Sequence, residues 1–365
     1  MSVTRRLSQR DLARIAKVSH TTVSLALRDD PTISKEVRDR IRAIAVQNNY
    51  RPDPALAALN AYRLGKRVVP FQGNIAWITN FEHKEDWRRM IQAEGYFEGA
   101  RKRAQELGYN LEEFWVGNPK LSARRASQIL ISRGVRGIVV APLPAAGEIA
   151  LEWDQFSSVA MGYSLTKPKL HMVMNHQSRN MRILVARLAE MGYRRIGLAM
   201  PGHVDSRVDH SYLAGFWIGR HLQPADAKKI PELLAENFDE KTLGIWYDAN
   251  KPDVIITSAT SVYKVIDWLH EKRLHVPRDV GVAVAATPFG DSVISGVSEN
   301  VHMIGAMAVD AVVAMIHRNE TGVPAQPTRT LAEGVWSPGN TISVRKPASE
   351  KQMGGGMRRK LQSGG

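Results

Sequence analysis

The sequence predicts an all-α head of three short helices followed by an α/β core of parallel sheets arranged in two units. Three observations lead there. Apolar residues recur at helical spacing through the first fifty positions. From Gly73 onward, short apolar runs alternate with amphipathic stretches, the pattern of βαβ units whose strands are covered on both faces. The charge is also uneven: of a net +14, residues 1–67 carry +8, residues 345–365 carry +5, and the long middle segment carries only +1. A basic head on a near-neutral body is the electrostatic footprint of a nucleic-acid-binding module joined to something else.

The head is read from Ser8 to Arg28, SQRDLARIAKVSHTTVSLALR. Leu12, Ile15 and Ala16 form one apolar stripe, and Val23, Ala26 and Leu27 form a second after a break at Val18-Ser19. Ser8 and Ser19 are N-cap candidates, and Asp11 completes a capping box with Ser8. The second helix opens on His20, Thr21, Thr22 and Ser24, short donors suited to phosphates and base edges. A third helix is expected over Ser34–Asn48, with Val37, Ile41, Ile44 and Ala45 on its core face and Lys35, Arg38, Arg40 and Arg42 outward. Prolines 52 and 54 end the helical pattern, and Ala55–Leu64 is a short helix-capable segment that would be marginal alone.

In the core, strands are expected at 73–79, around Asn110–Val116, and at 134–142, 158–163, 171–173, 194–200, 253–258 and 280–286. Helices are expected at 95–107, 122–132, 178–191, 211–221 and 262–271. Ligands of such folds sit beyond the carboxyl ends of the strands or between two lobes. The last residues are Gly-rich, basic and apolar-poor, as a flexible tail would be.

Several function classes are excluded or disfavoured. The chain has no cysteine, which rules out disulfides, cysteine-based zinc sites and thiol nucleophiles. No HExxH, GxSxG or Walker loop is present, so no catalytic residue, metal site or cofactor is assigned, and His203 with Asp205 is an isolated pair. The N-terminus lacks an apolar leader and no membrane span is expected, so the protein is expected to be cytoplasmic.

The order of these parts resembles the LacI/GalR family of transcriptional repressors. The likeness is carried by DLARIAKVSHTTVSLALR and SKEVRDRIRAIAVQNNYRP in the head, and by HSYLAGF, RDVGVAVAA, IGAMAVDAVVAMI and NETGVP in the core. It implies a helix-turn-helix DNA-binding domain over 1–52, a hinge helix and linker over 53–70, a two-lobed effector-binding and dimerisation domain over 71–345, and a basic tail over 346–365. The core would have the type I periplasmic-binding-protein-like architecture. The family pattern puts His20, Thr21 and Leu25 against base edges, and Ser8, Ser19, Thr22, Ser24, Ser34 and Tyr50 on phosphates. Leu59 would wedge into the minor groove of a double-stranded operator read by a homodimer.

The core departs from the family's sugar-binding pattern. Tyr212 stands where an arginine is common, Ala286 and Thr287 replace an acidic pair, and Ser258-Ala259 replaces Asn-Asp. Effector-binding candidates near the expected strand ends are Asn80, Phe81, Tyr163, His176, Asp205, His210, Tyr212, Phe238, Ser258, Thr287 and Phe289. These imply a small-molecule effector, with a carbohydrate the first expectation. The alternative is a solute-binding protein whose basic head is incidental.

Overall fold

The computed structural model describes residues 9–27, 32–48, 71–223 and 227–345. By its contacts the chain divides into two compact units, residues 1–70 and 71–365. The expectations for Ser8, Tyr50, Leu59, the 53–70 hinge and the 346–365 tail lie outside the described residues.

The head contains α1 (Gln9–Ala16), α2 (His20–Leu27) and α3 (Lys35–Gln47). Its core is Leu12, Ala13, Ala16, Val23, Ala26, Ile41 and Ala45, with Val18, Leu27, Ile33, Val37 and Ile44 packed around them. One residue of the expected stripe is displaced: Ile15 is 46% exposed and Ala13 takes its place inside. Residues i+1 and i+4 from Leu12 thus face the core. The turn after α1 puts Lys17 in the left-handed region at φ 52°. Val18 N donates to Ala13 O and Lys17 N to Arg14 O, the two bonds of a Schellman ending. Arg40 of α3 donates to Ala16 O at the same helix end, so part of the expected outward basic face is used to close the head.

Residues 71–345 form two α/β lobes. In the first, a parallel sheet runs in the order β13-β7-β5-β3-β1-β2. These strands are β1 (Gly73–Thr79), β2 (Tyr109–Trp115), β3 (Val135–Val140), β5 (Ser157–Met161), β7 (His171–Asn175) and β13 (Arg329–Ala332). A small ladder of β4 (Gly147–Glu148) and β6 (Leu165–Lys167) lies beside it in sequence. Register brings Trp77, Val139 and Val159 side by side. They face α4 (Ala93–Glu106) and α11 (Val301–Arg318), while Ile78, Ile138 and Ala160 face α5 (Ala123–Ser132). Apolar residues on both faces are what a parallel sheet requires, at about 1.5–3 kcal/mol for each large side chain buried.

The second lobe has the order β14-β12-β11-β10-β8-β9, parallel except for the β12–β14 pair. Its strands are β8 (Ile196–Pro201), β9 (Leu233–Ala235), β10 (Val254–Thr257), β11 (Gly281–Val284), β12 (Gly296–Ser298) and β14 (Val335–Ser337). One face is covered by α6 (Gln177–Glu190) and α8 (Ser211–His221), the other by α9 (Glu240–Asn250) and α10 (Val262–Glu271). The short α7 (Gly202–Ser206) follows β8.

The chain passes between lobes three times among the described residues: from β7 to α6, from β12 to α11, and from β13 to β14. Bonds tie the three crossings to one another: His176 N donates to Ala332 O, Asn300 Nδ2 to Glu333 O, and Gly334 N to Asn180 Oδ1. Helix α11 is the one described helix long and apolar enough to cross a membrane. Its apolar side, Ile304, Ala308, Val309, Val312 and Val313, is instead packed in the first lobe's core.

Helices α4 and α11 meet backbone to backbone. A Cβ on Gly305 would lie 2.0 Å from Tyr96 O, and one on Gly99 would lie 2.1 Å from His302 O. No side chain fits at either point without separating the helices. Gly305→Ala is therefore expected to lower stability by about 1–3 kcal/mol, read as a fall in melting temperature by calorimetry. Gly244→Ala is the control: a Cβ there meets only Trp268, at 3.6 Å, in the middle of α9. That change should be neutral or raise stability by about 0.5–1 kcal/mol; equal losses in both variants would contradict the close-approach argument.

Candidate functional site

Two surfaces carry chemistry, one in each unit. In the head, Ser19 caps α2 as expected: Thr22 N donates to Ser19 Oγ at 3.0 Å, and the two hydroxyls are 2.8 Å apart. This fixes the start of α2 and leaves His20 and Thr21 exposed there, while Thr22, Ser24 and Leu25 are half-buried. A helix start with free N–H groups and short side chains suits contact with anionic oxygens. Ser34 stands at the N-cap of α3 but makes no capping bond to the backbone. Its hydroxyl instead bonds Glu36, whose carboxyl is held below its ordinary value first by a backbone N–H and then by Ser34.

In the body, a cavity of about 430 Å³ lies between the two sheets. It is lined where strands end: Tyr163 after β5, Asn175 at the end of β7, Met200 at the end of β8, Thr257–Thr260 after β10, and Ala285-Ala286 after β11. This is where open parallel sheets bind ligands, because the loops there are free to differ while the strands hold them. A second wall comes from the segment before α4, with Arg89, Met90, Ile91 and Gln92. That segment is anchored from behind by Trp87, whose ring sits 6.1 Å from Trp77 and 5.3 Å from Phe97.

Three sets of bonds join the walls across the cleft. Gln92 Nε2 donates to Thr287 O at 2.9 Å. Arg207 donates to the carbonyls of Pro144, at 3.1 Å, and Leu143. Tyr96 Oη donates to Glu299 Oε2 at 3.0 Å, linking α4 to the β12–α11 crossing. The lobes are therefore closed upon the cavity. Burial lowers the Arg207 guanidinium from its usual value and pushes the Tyr96 and Tyr212 hydroxyls well up, so both tyrosines are neutral. Glu299 is 5% exposed, and burial raises its carboxyl to about 7 against the opposing Tyr96 hydrogen bond.

Of the expected effector residues, Tyr163, Tyr212 and Ser258 line the cavity. Thr287 borders it through its carbonyl, which accepts from Gln92. The others are turned to different tasks. Asp205 is fully buried, accepting from Leu213 N and pairing with His210 Nδ1 at 3.0 Å. Asp209 and His210 both take left-handed backbone angles, φ 55° and 56°, and turn the chain so that α8 delivers Tyr212 inward. His176 accepts from Arg179 N as the cap of α6. Phe81 is buried in the first lobe's core, and Phe238 packs against the outer face of the second sheet. Phe289 stands edge-on to His302 at 5.2 Å, and Asn80 does not line the cavity.

The sequence reading missed Gln92, Tyr96, Asn175, Arg207 and Glu299, all of which line the cavity. One signal was available: Glu299 is one of only two acids in the apolar stretch 296–316, the other being Asp310. Among the described residues, no group of three or more His, Asp or Glu side chains is placed to hold a metal ion.

Comparison with known proteins accords with both surfaces. Residues 9–53 match the family described as bacterial regulatory proteins, lacI family, and residues 185–340 match the periplasmic binding protein-like domain. Over 351 residues the chain is 21% identical to the ribose operon repressor of Haemophilus influenzae, covering 90% of this chain and 99% of that one. A lac repressor dimer bound to operator and the anti-inducer ONPF shares the fold, with a TM-score of 0.52, 16% identity, and coverage of 93% of this chain and 100% of that one. So does a transcriptional regulator CelR–cellobiose complex, with a TM-score of 0.53, 15% identity, and coverage of 92% and 100%. The chain thus joins a helical head that matches the lacI family of bacterial regulatory proteins to a periplasmic binding protein-like domain.

Proposed function

We propose that the protein represses transcription as a cytoplasmic homodimer whose two heads read the half-sites of a pseudo-palindromic operator, under the control of a small molecule held in the cleft. The observation that carries this is the coexistence of an exposed His20–Thr21 helix start on a basic head with a closed, cross-bonded cavity in the body. Two-fold symmetry of the protein imposes two-fold symmetry on its site. His20, Thr21 and Leu25 would face bases; Ser8, Ser19, Thr22, Ser24, Ser34 and Tyr50 would hold phosphates; Leu59 would wedge the minor groove. A ligand that binds one arrangement of the lobes more tightly shifts the balance between arrangements by that difference in affinity, and so shifts DNA affinity reciprocally.

A saccharide is the first class of effector to consider, given the ribose operon repressor and the cellobiose complex among the similar proteins. Of the residues expected for it, Tyr163, Tyr212, Ser258 and Thr287 stand at the cavity, and they are the ones retained in this reading.

Selection of DNA from a random pool by the full chain is the direct test, and a pool without an enriched inverted repeat would overturn the proposal. On the selected site, His20→Ala or Thr21→Ala should reduce discrimination by about 1–3 kcal/mol at particular base pairs. Substitution of a residue placed on phosphates, such as Thr22, should weaken binding without changing preference. Affinity should also fall steeply with salt, since the first 67 residues hold a net +8. A flat salt profile in a filter-binding titration would remove the electrostatic part of the argument.

A further inference from the structure

The polar atoms facing the cavity are not balanced. Glu299 receives one hydrogen bond, from Tyr96, and no cation of the described residues lies within ion-pair distance of it. The two cations that line the same cavity are already engaged. Arg207 spends its guanidinium on the carbonyls of Leu143 and Pro144, and Arg89 pairs with Asp86 at 3.3 Å. Among buried side-chain atoms without a partner, the cavity holds Gln92 Oε1, Asn175 Oδ1 and Thr257 Oγ1. Gln92 cannot be turned to offer its nitrogen, because Nε2 is bonded to Thr287 O across the cleft. What remains unpaired is one carboxylate, two amide oxygens and one hydroxyl that can donate or accept, beside apolar walls from Met90, Met161, Met200, Val204 and Ile304.

Burying a carboxylate without a cation is costly, and the group responds by staying protonated or by receiving a positive charge. A neutral hydroxyl compound brings both donors and acceptors, so it would satisfy the amide oxygens but leave the carboxylate unpaired. We propose that the occupant of the cleft carries a protonated amine, seated on Glu299 and donating to Gln92 Oε1 and Asn175 Oδ1, on a compact skeleton packed against the methionine-rich wall. An amino sugar or a small amino alcohol has this chemistry. The inference rests on the reading of the cleft as the effector site and sharpens the class of effector it takes.

The carboxyl must ionise to receive an ammonium group, so binding releases its proton. The charged and titratable groups around it are Tyr96 on α4, Tyr212 on α8, Arg207 and Asp205 beside the second sheet, and Arg89 at the rim. Burial keeps both tyrosines neutral throughout this range, and it raises the Glu299 carboxyl to about 7. Affinity for an amine should therefore rise about tenfold per pH unit below about 7 and level off above it.

The test is a thermal-shift titration of the full chain and of Glu299→Gln with paired probes: glucosamine against glucose, galactosamine against galactose, ethanolamine against ethylene glycol, and methylammonium chloride against sodium chloride at equal ionic strength. The expected result is that at least one amine stabilises the native chain at a concentration tenfold or more below its partner. Glu299→Gln should abolish that preference and its pH dependence. Its own melting point in buffer and its binding to the selected DNA site show whether it folds. No amine preference in any pair, or a preference kept in Glu299→Gln, overturns the proposal. A chain that selects a specific DNA site but shows no amine preference loses only this inference. One that prefers amines but selects no DNA loses the regulatory reading and keeps the site.

Discussion

The contact between α4 and α11 sets the geometry on which the cavity depends. Helix α4 carries Tyr96 and is preceded by Gln92; α11 begins two residues after Glu299. The two helices approach until Gly99 and Gly305 face backbone atoms of the opposite helix. At any larger separation the 3.0 Å bond from Tyr96 to Glu299 could not form, since a hydrogen bond tolerates only a few tenths of an ångström. A packing constraint in the first lobe's core thus fixes the distance across which a polar pair meets at the crossing between lobes. Core and site are the same piece of architecture here.

The crossings extend that constraint to the second lobe. They are bonded to each other through His176, Asn300 and Asn180, so they behave as one strap and not as three independent tethers. Movement of one lobe against the other must break or carry these bonds together. The bonds across the cleft form a separate set, made by Gln92 and Arg207. Opening therefore costs the Gln92–Thr287 and Arg207 contacts while the strap turns, the behaviour of a hinge.

The fold was legible wherever the local pattern and the tertiary environment asked for the same thing. The long apolar runs at 73–79, 135–140 and 254–257 could only be buried parallel strands, and α2 announced itself by Ser19 ahead of an apolar stripe. Strands β12, β13 and β14 were not legible, because none holds a continuous apolar run and each is held by neighbours distant in sequence. Ile15 misled for a related reason: periodicity identifies a face of a helix but not the angle at which the next helix crosses it. In the cleft, Tyr163 and Ser258 were found because they follow strands that could be recognised, and Tyr212 because the family resemblance marks its position. Glu299 follows a strand that could not, and Asp205 and His210, each expected to bind the effector, instead bond one another.

The latch formed by Arg207 has an asymmetry that bears on how this cleft can change over evolutionary time. Its acceptors are main-chain oxygens at Leu143 and Pro144, which every amino acid supplies. The first lobe can exchange side chains at those two positions without losing the acceptors that hold the cleft shut. The second lobe has no such freedom, since the whole of its contribution resides in one guanidinium. Drift in ligand preference is thereby steered: the wall around residues 143–144 is open to variation, whereas this latch depends on the single codon of Arg207.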